Sequence, residues 1–152
     1  MKPEVAEPKA QDLYDEDFFE WTLRNAELLR AGRFAEADIA HIAEELEDMG
    51  KRHQHELSSR LRVLLTHLLK WQIQVLRRSG SWRATIDTQR QEIADLLRQM
   101  PSLRNALQQG LPEAYPRAVN KAAGETGLAP TVFPPSCPFR LEQILDATFF
   151  PG

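Results

Sequence analysis

His41 and Glu45 stand four residues apart, and Asp48 follows three beyond. Residues at that spacing share one face of a helix, and imidazole with carboxylate is a donor set that binds divalent metals. His67, or alternatively His53, completes such a site if a neighbouring helix brings it alongside, as happens in metal centres of helical bundles. The repeated Glu-x-x-His motif of those centres is missing. The competing reading of His41, Glu45 and His67 is a buried polar cluster, in which His67 finds one carboxylate of the preceding segment, such as Glu45.

A second chemistry is offered by Leu57 to Ile86, thirty residues without an aspartate or glutamate that carry Arg60, Arg62, Lys70, Arg77, Arg78 and Arg83. Within this tract Trp71, Arg77, Arg78, Trp82 and Arg83 combine cations that can meet phosphates with indoles that can stack on bases. The alternative is internal neutralisation. Glu36, Asp38, Glu44, Glu45, Glu47 and Asp48 crowd the segment just before, so an acidic helix packed antiparallel to a basic one would set carboxylate against cation.

Other chemistries find no support. The sequence holds no G-x-x-x-x-G-K-[ST], G-x-G-x-x-G or G-x-S-x-G motif. Glu44 and Glu45 are adjacent, which points them about 100° apart on a helix and makes them a poor acid–base pair. Cys137 is the only cysteine and sits in PPSCPF, far in sequence from any histidine. No catalytic residue and no cofactor is therefore expected.

The elements that must position these residues are constrained by size and composition. The chain has 152 residues, 42% of them hydrophobic and 27% charged, with a formal net charge of −3. That is enough chain to bury a core without disulfides, and the lone cysteine fits a reducing cytosol. The acidic balance excludes a uniformly basic nucleic-acid coat. No apolar run reaches the length of a membrane span, and the opening MKPEVAEPKAQD has no apolar core of a signal peptide. A cytoplasmic location follows as an expectation.

Helical periodicity runs through most of the chain, and nothing alternates with period two. After a disordered lead over 1–12, a first helix is expected from Asp15 as N-cap, through Phe18, Thr22, Ala26 and Leu29, to a stop at Gly32. Ala35 to Met49 reads as a second helix with Ile39, Ile42, Ala43 and Leu46 inward, and Gly50 as its end or a bend. The third and longest spans Lys51 to Arg78, with Leu57, Leu61, Leu64, Leu65, Leu68, Leu69, Gln72, Val75 and Leu76 on its apolar face. Ser79-Gly80 breaks it and Ser81 is placed to cap a fourth, which ends before Met100-Pro101-Ser102. A short helix from Leu103, another opened by Pro112 and closed by Gly127, a proline-rich tail and one last turn over 141–145 follow. The expected fold is all-α: a single helical domain over 13–152, a bundle of about six helices with a long central third helix.

The stretches YDEDFFEWTLRNAELLRAGRF, IAEELEDMG, RLRVLLTHLLKWQ, SWRATIDTQR and PFRLEQILD, in this order and spacing, resemble a bacterial family catalogued as domain of unknown function number twenty-nine. The likeness covers nearly all of the chain from Tyr14 to Phe150. It implies a small α-helical protein and carries over no catalytic residue.

The reading that results is a small cytosolic interaction or regulatory module whose partner is a protein. Nucleic-acid binding through the basic, Trp-bearing region 70–90 is the alternative, and a metal-dependent activity at His41, Glu45 and His67 the third. No membrane partner is expected.

Overall fold

The computed structural model describes residues 7–152, which form two compact units that divide after Arg52. Among the described residues there are six α-helices and no strand. The first six residues of the expected lead lie outside the description, and helix α1 (Ala10–Glu16) begins before that lead was expected to end.

In the first unit the chain breaks between α1 and α2 (Phe18–Arg30) at Asp17 rather than starting a helix at Asp15. Asp17 is extended, with φ −151°, and its carboxylate accepts the Glu20 backbone N–H at 3.0 Å, so the N-cap falls two residues later than expected. Gly32 ends α2 as expected. Its φ of +71° is a conformation that favours glycine. The Arg33 N–H then returns to the Leu28 carbonyl at 2.9 Å and the Gly32 N–H to Leu29 at 3.1 Å, which closes the helix in a Schellman motif. Ala10, Leu28 and Ala37 form a small core, with Ile42 packed against it.

Helix α3 runs without interruption from Ile39 to Ile73 and overturns the expectation of two helices joined at Gly50. An interior glycine costs only about 1 kcal/mol relative to alanine. Good helix formers on both sides, Glu44 to Glu47 and Lys51-Arg52, outweigh that cost. The correction has a consequence for charge. Glu44, Glu45, Glu47 and Asp48 lie on the same helix as Arg60, Arg62 and Lys70, so these carboxylates and cations are not on antiparallel neighbours.

The second unit packs the C-terminal part of α3 with α4 (Gly80–Gln99), α5 (Leu103–Thr126) and α6 (Leu141–Leu145). Leu57, Leu61, Leu64, Leu65, Leu68 and Leu69 are all buried, as their spacing predicts, and Ile86, Ile93, Leu107, Ala118, Ala122 and Ile144 meet them. Helix α3 stops five residues earlier than expected. A 3₁₀ turn over Val75–Arg77 follows, and Val75 and Leu76 leave the apolar face, Leu76 becoming fully exposed. Ser79, not Ser81, caps α4: its hydroxyl accepts from the Trp82 N–H at 3.2 Å.

Where two short helices were expected after Met100, one helix runs through both Pro112 and Pro116. It ends at Gly127, which adopts φ +75°. The proline-rich tail folds back over the core, burying Phe133 and Phe139, and Tyr115 Oη donates to the Pro134 carbonyl at 2.5 Å. Helix α6 then closes the unit with Leu141 and Ile144 inward. No helix among the described residues is long and apolar enough to cross a membrane.

Candidate functional site

The polar and aromatic groups of the first unit converge on the start of α3. Asp38 precedes the helix and is almost fully buried. Its carboxylate accepts from Trp21 Nε1 at 3.0 Å and lies 2.6 Å from His41 Nδ1, while its own backbone N–H donates to Asn25 Oδ1 at 2.8 Å. Burial pushes the Asp38 carboxyl up, but the hydrogen bonds from His41 and Trp21 outweigh it and hold the group below the usual carboxylate range. The ion is stabilised where it sits, and α2 is tied to α3 through it.

Tyr14 completes the cluster. Its ring stacks on the His41 imidazole with centroids 3.8 Å apart and planes 9° apart, and packs edge-on against Trp21 at 5.1 Å. Its hydroxyl donates to Glu45 Oε1 at 2.6 Å, and that bond, with burial and the nearby carboxylates, pushes the phenol up to about 12. A histidine oriented by a buried carboxylate is an arrangement that general bases use. Here Asp38 is the ring's hydrogen-bond partner and Tyr14 covers one face. The geometry is that of a brace between helices.

These contacts correct the metal reading. His41 is engaged by Asp38 and Glu45 by Tyr14, and His67 lies on the same helix, 26 residues beyond His41, not on a facing one. The expected bond between His67 and Glu45 is not made. His67 Nδ1 instead donates to the Val63 carbonyl at 2.9 Å, and burial pushes the imidazole down. His53 is exposed. Among the described residues no group of three His, Cys, Asp or Glu side chains is arranged to hold a metal ion.

The basic tract of the second unit is largely occupied by partners other than the expected helix. Lys70 pairs with Glu125 of α5 at 2.8 Å and lies over the Trp82 ring at 4.6 Å. Arg60 pairs with Glu56 at 3.1 Å and reaches Glu92 of α4 at 3.7 Å. Trp71 packs on Phe150, with centroids 5.0 Å apart, and Arg78 lies over the Trp71 ring at 5.1 Å. The Arg78 guanidinium also donates to the backbone carbonyls of Trp71, Pro151 and Gly152 at 2.8, 3.2 and 3.0 Å. Arg83 lies over Phe150 at 4.6 Å and remains exposed, as does Arg77. Of the five residues singled out, three therefore hold the C-terminal segment or each other. Cys137 is half-buried, its thiol pushed up by burial, and it donates to the Phe139 carbonyl at 3.3 Å.

Sequence reasoning missed Tyr14, Trp21 and Asp38. A signal existed for Asp38, an N-cap residue type directly before the first periodic position, Ile39. It was hidden because the helix start was placed at Ala35.

Large apolar side chains also lie uncovered on the first unit. Phe18, Phe19, Leu23, Phe34, Ile39, Leu46 and Met49 are all exposed, with Phe19 at 73%. The same residues 1–52 carry fourteen carboxylates against seven lysines and arginines, whereas 53–152 carry eight against twelve. The net charge of −3 conceals an acidic unit and a basic one.

A family model described as Domain of unknown function DUF29 matches residues 13–150. No curated protein and no solved structure matches the chain.

Proposed function

We propose, for a chain that belongs to the DUF29 family and inherits no assigned activity from it, that the molecule is a small interaction or regulatory module of the bacterial cytoplasm. One observation carries the reading. A unit of about fifty residues exposes Phe18, Phe19, Leu23, Phe34, Leu46 and Met49 within a strongly acidic surface. Soluble monomers rarely leave large apolar side chains uncovered in such density, and apolar surface rimmed by charge is the usual anatomy of a protein docking face. The one cysteine, unpaired and half-buried, fits a reducing compartment.

Nucleic-acid binding has less support. Arg78 and Trp71 are committed to the C-terminal segment, which leaves Arg77 and Arg83 as the exposed cations of that patch. Two cations neutralise few phosphates.

A photo-reactive amino acid in place of Phe19 or Phe34 tests the docking reading in cells. Cross-links to a protein from those positions, and none from a control at exposed Gln108 on α5, are the expected result. Equal labelling from all three positions would overturn it.

A further inference from the structure

Arg90, Ile93, Ala94 and Leu97 follow one another at helical spacing, so α4 turns an arginine and three apolar residues to one side. That arginine is buried, at 4% exposure. Its Nε donates to the Ile144 carbonyl at 2.8 Å and its Nη2 to the Gln143 carbonyl at 3.4 Å, and the centre of the guanidinium lies over the Phe150 ring at 5.3 Å. These contacts orient the group, but the acceptors are neutral. Nη1 is buried and has no hydrogen-bond partner among the described residues. Asp146 and Asp87 act on Arg90 through their field and not as hydrogen-bond partners. The Asp146 carboxylate is turned to Thr148 instead, accepting from its N–H at 2.9 Å and its hydroxyl at 2.7 Å. A buried charge is normally paired, and a buried N–H normally finds an acceptor. Arg90 has one nitrogen for which neither holds.

The same arginine lines a cavity of about 260 Å³ between α4, the start of α5 and the end of α6. Arg104 lines it too, from an exposed position, and the remaining wall is Ile93, Ala94, Leu97 and Leu145. No carboxylate among the described residues is part of that lining. We propose that this cavity binds a small organic acid, its carboxylate taken between Arg90 and Arg104 and its apolar body laid against Ile93, Leu97 and Leu145. Charge sets the sign of the ligand. Two guanidiniums without a carboxylate favour an anion, and an anion supplies the acceptor and the countercharge that Arg90 Nη1 lacks. Size and lining set its body. The volume falls below the roughly 300–1,000 Å³ of sites for larger ligands, and aliphatic walls offer a bare phosphate nothing. Only one nitrogen of the buried arginine is left over, which suits a single negative charge better than a dianion that must lose more water to enter. The site lies wholly in the second unit and does not depend on the docking reading above.

Nuclear magnetic resonance on the isotope-labelled full chain tests this through the Arg90 Nε–H signal, which the bond to Ile144 protects from exchange. Hexanoate and benzoate are the probes, beside hexanamide and benzamide, which keep the same bodies without the charge, and inorganic phosphate. At least one of the two acids should shift the signal saturably, its amide should not, and phosphate should bind more weakly. Arg104→Gln, at an exposed position, should weaken the acid about fivefold. Ala94→Phe fills the cavity from another exposed position and should abolish the response, with the helical circular dichroism kept in both variants. No saturable shift from either acid would overturn the site. Equal binding of an acid and its amide would overturn the part given to the arginines, and phosphate binding as tight as the acid would overturn the apolar body. An acid whose affinity neither variant changes would overturn the placement.

Discussion

The Tyr14 hydroxyl donates to Glu45 Oε1 across 2.6 Å while the Tyr14 ring lies flat on His41, one turn earlier on the same helix. One side chain of α1 thus uses both its polar end and its face to hold α3. Tyr14→Phe removes the hydrogen bond and keeps the stack. The expected result is a small loss of stability, because the bond exchanges with water at a half-exposed site. Chemical denaturation of the two proteins measures it, and a loss as large as that of Tyr14→Ala would mean that the stack had gone as well.

The same contact has a spectroscopic consequence. Tyr14 and Tyr115 are the only tyrosines, and both phenols are pushed up to about 12 from an ordinary 10.0, Tyr14 chiefly by its bond to Glu45 and Tyr115 by burial. Ultraviolet titration of the native protein should therefore show almost no tyrosinate at pH 10, where the urea-unfolded chain is half ionised. Appreciable native tyrosinate at that pH would contradict the geometry at both sites.

Asp38 is the buried ion of the first unit, and its replacement should be among the costliest there. Asp38→Ala removes a helix cap, about 1 kcal/mol, and strands the Trp21 N–H, about 1–3 kcal/mol more. Because the folded carboxyl lies below its ordinary value of 3.8, the stabilising contribution is complete above that value and is lost as pH falls through the folded one. Acid unfolding of the parent, followed by Trp fluorescence, should begin below about pH 4, and the variant should lose this acid limb.

His67 supplies the neighbouring window. Burial holds its imidazole below the ordinary 6.5, so the unfolded chain takes up the proton first as pH falls. Stability of the second unit should decline from about pH 6.5 downward, toward the lower folded value. His67→Gln should flatten that part of the profile, and an unchanged slope between pH 7 and 5 would show that His67 is not its source.

Two leucines on the expected apolar face of the long helix should behave oppositely. Leu68 is fully buried, and Leu68→Ala should cost roughly 2–5 kcal/mol. Leu76 is fully exposed beyond the end of α3, and Leu76→Ala should change the urea midpoint by no more than the equivalent of about 0.5 kcal/mol.

The sequence alone determined the all-helical class, the buried leucine row from Leu57 to Leu69, and the stops at Gly32 and Gly127. Each rests on a local property, periodicity or the ease with which glycine takes positive φ, that needs no distant partner. Tertiary structure decided the rest. Whether Gly50 ended a helix depended on a difference of about 1 kcal/mol between interior glycine and its neighbours, too small to read from residue types. That one outcome moved the acidic tract from beside the basic tract to the position before it. The partners of Lys70 and Arg78 lie 55 and more than 70 residues away, at Glu125 and at the last two carbonyls. Contacts across such distances leave no periodic trace in a chain, because they are set by how helices pack and not by how each one forms.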